Sequence, residues 1–428
     1  MRRFTLLAAP IWIIALMLYV VAGTALTPFH GDESTQVYMS RDYVYQFIQR
    51  DLNLVQFHEP PISAQEQDLR LLNGTINKYL IGLAWHVGGF TPADLNEQWD
   101  WGASWDYNTT TNHAPGSALL NVARMPSALL LAFGVPVMFA LGWLTGGRWA
   151  AFAASLLYAL HPALLVNGRR AMMEGSLTFF SLLTVLAGAW WIKRPRWIAA
   201  LTLGVAAGLT VASKHTGAFT VIAVFGALAT LTLPRIRGRG GERGWGQRYV
   251  MLVLGGVVTA LTFYALNPAW WGDPISRAGD VLELREALLE GQTNAFGGYP
   301  DAGAALAGFW RQAFTATPQY YEVEGWGGYL AEQIAAYEAS IWRGVGLPAL
   351  ILVPLVIIGV IMLVRTTSRQ TPRPLRLLIG VWALAMLLTV LLLTPLEWQR
   401  YYLPVYPPIL LLAGMGFSGA LHWIRARA

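Results

Sequence analysis

Two adjacent carboxylates, Asp32 and Glu33, stand directly after the first long apolar run, in the segment TPFHGDES (27–34). Neighbouring carboxylates repel each other, and burial raises the pKa of at least one of them, which suits a general base or a metal ligand. The alternative is that the pair caps the positive N-terminal end of the next helix. We predict Asp32 and Glu33 as catalytic residues. The pair leaves room for a divalent metal, but the nearby ligands do not require a cofactor.

A third carboxylate, Glu174, lies at the start of another apolar run, with Arg169 and Arg170 just before it. An ionisable group at a membrane boundary usually faces a polar cavity or an oppositely charged partner. The two arginines are its expected partners. A structural ion pair and a role in a polar cavity both fit this pattern.

Several cations occur where membrane topology does not require them. Lys214, Arg124 and Arg400 all lie near ends of apolar runs, and Tyr401 follows the last of them. Arginine offers a bidentate fork and lysine a point charge to a phosphate group. Each of them also fits the alternative of an anchor that extends its charge to the membrane surface.

The composition places most of the chain in a membrane. Of its 428 residues, 55% are hydrophobic and 13% are charged, against about 25% charged in soluble domains. The absence of cysteine excludes disulfides and thiolate metal sites. The net charge of +6 does not indicate a nucleic-acid partner, because the basic residues occur in short connections between apolar runs.

The apolar runs predict an all-α polytopic membrane protein of about ten transmembrane helices, each needing about 20 residues to cross the bilayer. The predicted spans are 4–26, 118–144, 149–167, 171–192, 197–213, 215–233, 249–267, 345–364, 375–394 and 402–424. Two weaker segments, 76–90 and 302–317, predict short helices at the membrane interface.

The positions of lysine and arginine predict the orientation. They gather at both termini and in the connections near 148, 193–196, 235–248 and 365–376, which places these segments and both termini in the cytoplasm. Two long loops, 27–117 and 268–344, then face the other side of a plasma (inner) membrane. The predicted organisation is an N-terminal transmembrane module (1–267) that carries the first long loop, the second long loop, and C-terminal helices (345–428).

Motifs of several soluble enzyme classes are missing from the sequence, and no segment outside the apolar runs offers the alternating strands and helices of a nucleotide-binding domain. It contains no Walker loop, no dinucleotide fingerprint after a strand, and neither His-Glu-x-x-His nor Gly-x-Ser-x-Gly. Any sugar donor is therefore expected to be linked to a lipid.

The acidic pair after the first span, the large first loop, Glu174 and the tail RYYLP (400–404) together resemble the protein O-mannosyltransferase and aminoarabinose-transferase group. The segments HEPP (58–61) and NKYLIG (77–82) are similar to stretches of the same group. These are GT-C membrane glycosyltransferases that use polyprenyl-phosphate sugars. The resemblance implies transfer of a sugar to a hydroxyl of a protein, glycolipid or polysaccharide on the non-cytoplasmic face, without a nucleic-acid partner.

The resemblance also implies roles for single residues. Asp32 would deprotonate the acceptor, Glu33 would orient the acceptor or tune its charge, and Glu174 and His58 would line the acceptor cavity. Cations and one tyrosine would hold the donor phosphate: Lys214, Arg400, Lys78, Arg124 and Tyr401. Two other classes stay open. A transporter or lipid flippase would use the same charges as a substrate pathway, and a non-catalytic assembly factor would leave Asp32 without a role.

Overall fold

The computed structural model describes residues 2–232, 242–365 and 372–427, and the regular elements in these ranges are all helical. In chain order the α-helices are α1 (Arg2–Ala22), α2 (Gly31–Met39), α3 (Ala64–Leu72), α4 (Thr75–Val87), α5 (Trp105–Thr110), α6 (Ser117–Leu160), α7 (Pro162–Arg169), α8 (Glu174–Lys193), α9 (Trp197–Ser213), α10 (Ala218–Thr232), α11 (Glu242–Leu266), α12 (Pro274–Phe296), α13 (Ala302–Trp310), α14 (Gly327–Ala339), α15 (Ala349–Arg365), α16 (Arg373–Leu393) and α17 (Tyr406–Arg427). The predicted all-α fold class is confirmed.

Seven helices in the described residues are long and apolar enough to cross a membrane. They comprise α1, α6, α8, α10, α11, α16 and α17, some extended by a flanking turn. Helices α9 and α15 are equally apolar but have only 17 residues each. The protein is therefore a multi-pass membrane protein, and the predicted count of ten spans is not established by these seven.

Helix α6 accounts for one of the three missing spans, because its 44 residues contain the predicted span 118–144 and most of the predicted span 149–167, while α9 and α15 account for the other two. Gly147 divides it with a backbone of φ 75° and ψ −162°, a conformation that residues with a Cβ rarely adopt. The span predicted at 149–167 is shorter in the structure, because the helix ends at Leu160. Pro162 begins the separate helix α7, because proline cannot donate the hydrogen bond that would continue α6.

Helix α6 is the centre of the bundle and packs against α1, α8 and α17, while α9 packs against α8 and α11. Small residues allow the closest approaches. A Cβ at Gly416 of α17 would lie 1.8 Å from the carbonyl oxygen of Leu355 in α15, and one at Gly359 of α15 would lie 2.0 Å from that of Leu412. Such backbone contacts are the usual way in which helices associate in lipid.

The two long loops fold into short helices that pack on each other and on the bundle. The first loop contains α2 to α5 and the second contains α12 to α14. Helices were predicted at 76–90 and 302–317, and the structure has α4 and α13 there. Helix α4 is more deeply packed than a helix resting on a membrane surface, since Ile81 and Trp85 are fully buried.

The predicted cytoplasmic connections are only partly visible. Residues 233–241 and 366–371, which contain Arg235, Arg237, Arg239 and Arg369, lie outside the described residues. The orientation of the chain stays a prediction.

Candidate active site

The acidic pair begins helix α2, and the preceding residue caps it. The Nδ1 atom of His30 accepts a hydrogen bond from the backbone N–H of Asp32 at 3.1 Å, and the His30 N–H donates to Glu33 Oε2 at 3.1 Å. This reciprocal arrangement is a capping box, which satisfies N–H groups that the first helical turn leaves free. The capping alternative is therefore correct for Glu33, and it fixes the direction in which Asp32 leaves the helix.

Glu33 is completely buried and fully paired. Its two oxygens accept hydrogen bonds from Nε and Nη2 of Arg124 at 2.7 Å each, and Oε1 also accepts the N–H of Ala171 at 2.8 Å. Burial alone would raise the pKa of Glu33, but the charge and hydrogen bonds of Arg124 outweigh it and lower that pKa. The carboxylate of Glu33 joins α2 to α6 and to the turn before α8.

Asp32 differs from its neighbour because its side chain remains 29% exposed. Its carboxylate contacts the guanidinium of Arg400, from the tail of the chain, and lies 3.9 Å from Nδ1 of His30. Asp32 is therefore the member of the pair that an incoming molecule can reach. Its charge is supported by one nearly buried cation.

A buried histidine connects the two long loops directly behind Asp32. The Nε2 atom of His30 contacts the carboxylate of Glu322 in the second loop. Because Nδ1 accepts a hydrogen bond, the ring proton lies on Nε2 and is donated to Glu322. Burial, together with the charges of Arg170 and Arg400, lowers the pKa of His30 against the opposing effect of Glu322.

Glu322 also reaches Arg400, with its Oε1 atom 3.4 Å from Nε of the guanidinium. Arg400 thus lies between Asp32 and Glu322. Two glutamines fix the position of the segment that carries Arg400 relative to the second loop. The backbone N–H of Gln319 donates to Gln399 Oε1 at 3.0 Å, and the backbone N–H of Gln399 donates to Gln319 Oε1 at 2.6 Å.

Arg169 and Arg170 do not pair with Glu174, so that prediction is wrong. Arg169 donates to the carbonyls of Tyr19 and Val20 at the end of α1, and Arg170 donates to the carbonyls of Pro28 and Tyr320. Both guanidiniums are buried. Arg169 binds carbonyls that the end of α1 leaves open, and Arg170 binds carbonyls in the two long loops. They join the first span and both long loops.

Glu174 pairs instead with Lys214, whose Nζ lies 2.9 Å from Glu174 Oε1. The other oxygen, Oε2, is buried and has no hydrogen-bond partner among the described residues. Thr178 in α8, Thr216 after Lys214, and Leu403 and Pro404 after Arg400 line a nearby cavity of about 20 Å³. This cavity lies between the helix that Glu174 begins, the turn after Lys214, and the tail segment that supplies Arg400.

Lys78 and Arg124, like Lys214 and Arg400, are engaged in ion pairs. Arg124 is bound by Glu33, and Lys78 Nζ lies 2.6 Å from Asp42 Oδ2, fully buried. Asp42 is also held by Arg70, whose Nη2 contacts Glu66 at 2.7 Å. These contacts give Lys78 and Arg124 a structural role in this state of the protein.

The remaining predicted residues have local partners. His58 lies in the first loop, where its N–H donates to Gln67 Oε1 at 2.9 Å and its Nε2 contacts the carbonyl of Asn53 at 2.7 Å. Tyr401 donates its hydroxyl to Gln292 of α12 at 2.9 Å, and its ring lies 5.5 Å from the Arg400 guanidinium. Tyr401 therefore lies beside Arg400, which contacts Asp32. The hydrogen bonds of His58 described above do not involve Asp32, Glu322 or Arg400.

A metal held jointly by Asp32 and Glu33 is not supported. Both oxygens of Glu33 already accept hydrogen bonds, and Arg400 occupies the carboxylate of Asp32. Within the part of the chain that the structure describes, no group of three His, Asp or Glu side chains is arranged to hold a metal ion.

Sequence reasoning missed two members of the cluster. His30 was visible in the segment 27–34 but was given no role, although histidine is an uncommon helix N-cap. Glu322 lies in the second loop, in the run YYEVE (320–324), where nothing near it in sequence indicates a site. Only the folded contact between the loops identifies it.

The chain is similar to known proteins both in sequence and in fold. Residues 64–267 match the family model of dolichyl-phosphate-mannose-protein mannosyltransferases. The solved oligosaccharyltransferase of Archaeoglobus fulgidus is similar over 97% of this chain, with a TM-score of 0.55 and 13% identity. The fold is of the GT-C type. The predicted resemblance to this group is thereby confirmed.

Two further structures with the GT-C fold are similar. ArnT from Cupriavidus metallidurans, solved with undecaprenyl phosphate, matches 95% of this chain with a TM-score of 0.50 and 14% identity. The Saccharomyces cerevisiae protein O-mannosyltransferase complex, solved with its sugar donor, matches 60% with a TM-score of 0.43 and 16% identity.

The chain is shorter than these proteins. It spans 51% of the archaeal enzyme, 59% of ArnT and 33% of the yeast chain. No curated protein matches it in sequence.

Proposed function

We propose that the chain transfers a sugar from a polyprenyl-phosphate carrier to an acceptor hydroxyl at the site around Asp32. The observation that carries this proposal is the unequal treatment of the acidic pair. Glu33 is buried and saturated, whereas Asp32 is accessible and in contact with Arg400. A carboxylate that can meet a substrate beside a cation suits a reaction in which a proton leaves and a phosphate departs.

In this mechanism Asp32 accepts the proton of the acceptor hydroxyl while the oxygen of that hydroxyl attacks the anomeric carbon of the donor sugar. The bond between that carbon and the phosphate oxygen breaks, and the lipid phosphate leaves with the bonding electrons. Arg400 neutralises the charge on the leaving phosphate from a nearly buried position, where charges interact more strongly than in water. No covalent enzyme intermediate is needed.

Lys214 is the second cation that we assign to the donor. Its side chain is 14% exposed, and its partner Glu174 lies near the same tail segment as Arg400. Glu33 and Arg124 act by holding the start of α2, so they position Asp32 without touching substrate. Because both long loops build the site, the predicted orientation puts the reaction on the non-cytoplasmic face.

The test is transfer of labelled sugar from membrane-extracted polyprenyl-phosphate donors by the purified protein in lipid vesicles. We expect Asp32→Asn to lower the transfer rate about 10²- to 10⁴-fold, the usual contribution of a general base. The control is Asp68→Asn, which changes an exposed aspartate of α3 and should leave the rate unchanged.

Melting temperatures in detergent would show whether both variants are folded. A folded Asp32→Asn protein that transfers sugar at the wild-type rate would exclude Asp32 as the base. If no donor in a broad panel reacts while the protein moves lipid or solute across vesicles, the chain is a transporter.

A further inference from the structure

An aromatic cluster lies against the residue that precedes Asp32. We define it as the indole rings of Trp99, Trp101, Trp105 and Trp326 together with Tyr329. The first three come from the first long loop and the other two from the second. A Cβ at Gly31 would lie 2.9 Å from Cη2 of Trp326 and 3.1 Å from Cη2 of Trp101. The cluster therefore forms a wall next to the proposed base.

Two parallel ring pairs organise the cluster. Trp101 stacks on Trp326 with centroids 5.5 Å apart and an angle of 20°, and Trp105 stacks on Tyr329 at 5.3 Å and 13°. Trp105 meets Trp326 edge to face at 5.2 Å, which joins the pairs. Trp101 contacts Trp326 and Trp99 within the cluster but keeps 49% of its surface exposed, and we call this exposed part of the indole its open face.

The open indole is held rigidly. Trp101 lies in a turn in which the N–H of Gly102 donates to Asp100 Oδ1 at 2.9 Å. The buried Asn108 fixes the same turn, because its Nδ2 donates to the Asp100 carbonyl at 2.9 Å and its Oδ1 accepts the Asp100 N–H at 2.8 Å. A flat apolar surface that is already ordered loses little entropy when a ligand binds.

The charges around the cluster restrict the ligand. The segments that build it, 79–123 and 312–342, contain no lysine or arginine. Exposed carboxylates flank it instead, namely Asp100 beside Trp101, Asp106 near the Tyr329 hydroxyl, and Glu324. The side of the cluster that carries these carboxylates disfavours anionic ligands, whereas the cation Arg400 lies on the side of Asp32. Carboxylates accept hydrogen bonds from hydroxyl groups, and an indole face attracts weakly positive C–H groups.

We infer that the open face of Trp101 binds a sugar ring of the acceptor, so that the acceptor is a neutral glycan or the neutral glycan part of a glycolipid. A pyranose has a face of C–H groups for the indole and hydroxyls for the carboxylates. This inference relies on the proposed function only where it identifies the bound sugar as part of the acceptor. The binding site itself does not depend on catalysis.

The first experiment measures binding with the full-length protein in detergent. The probes are maltotriose, cellotriose and mannotriose at millimolar concentration, with a neutral serine-containing peptide as comparison, in saturation-transfer difference NMR. We expect transfer to sugar C–H protons in wild type and in Asp32→Asn. The signal should be lost in Trp101→Ala, partly retained in Trp101→Phe, and unchanged in Trp143→Ala, which removes an equally exposed tryptophan of α6.

The second experiment measures transfer kinetics. Trp101→Ala should raise the KM for a glycan acceptor about three- to tenfold, the scale of one aromatic contact, with kcat and the donor KM unchanged. The inference is wrong if none of the sugars gives a signal with wild type, if Trp101→Ala binds them equally well, or if only the peptide binds. Failure of sugar transfer with binding intact would reject the proposed function and leave the sugar site standing.

Discussion

The site around Asp32 and the ion-pair network around Asp42 are built from the same kinds of residues but differ in their closure. The Asp42 network comprises Asp42, Glu66, Arg70 and Lys78, two anions and two cations that are largely buried. At the site, Asp32 and Glu322 share Arg400, and Asp32 is partly exposed. A network that is saturated holds the first loop together, whereas the partly exposed carboxylate of Asp32 leaves room for the substrate that we propose.

The largest effect on stability is expected from Asp42→Asn. This change leaves Lys78 buried with no carboxylate partner, and loss of one member of a buried pair costs about 3–5 kcal/mol of unfolding free energy. Thermal unfolding in detergent would measure it. Asp32→Asn should change the melting temperature little.

The matched control for Asp42 is Arg343→Gln, which breaks an exposed pair with Glu338 and should cost at most about 1 kcal/mol. If Asp42→Asn proved as stable as this control, the proposed division between a structural network and an open site would fail.

A smaller effect follows from the lowered pKa of Glu33. A carboxyl group whose pKa is lower in the folded state stabilises the fold above its ordinary pKa of 4.5, and this contribution disappears as the pH falls below that value. We therefore expect the melting temperature of the wild-type protein to decrease as the pH is lowered from 4.5.

Glu33→Gln isolates this contribution. The variant should be less stable at pH 7 and should lose less of its remaining stability between pH 5 and pH 3. Parallel melting curves of both proteins against pH would contradict the assignment of a charged Glu33.

The smallest effect concerns the register of Arg400. Gln319→Ala removes the side chain that accepts the Gln399 N–H, and one such hydrogen bond contributes about 1 kcal/mol. We expect the transfer rate to fall about fivefold because Arg400 is less well placed. The melting temperature should fall by only about 2 °C.

The control is Gln65→Ala, at an exposed glutamine of α3. A Gln319→Ala protein with the wild-type kcat and KM would show that the glutamine pair does not position Arg400.

Apolar periodicity was sufficient to predict the helical class and most helix positions, because lipid demands long apolar helices. It failed at 149–167, where Pro162 starts a new helix. The sequence also identified Asp32 and Arg400 as functional candidates. It could not distinguish Arg124 and Lys78 from phosphate ligands, because their carboxylate partners lie 91 and 36 residues away. The role of Glu322 depends on a contact between loops that no local pattern records.

The sequence separation of the partners has a consequence for synthesis of the chain. Glu33 meets Arg124 after 91 residues, whereas His30 must wait 292 residues for Glu322, and Arg400 arrives later still. The supporting half of the site can thus assemble while translation of the second half is under way. The proposed reactive half is completed only when the segment between α16 and α17 has been synthesised, so a chain that ends before Arg400 would carry the scaffold around Asp32 without its cationic partner.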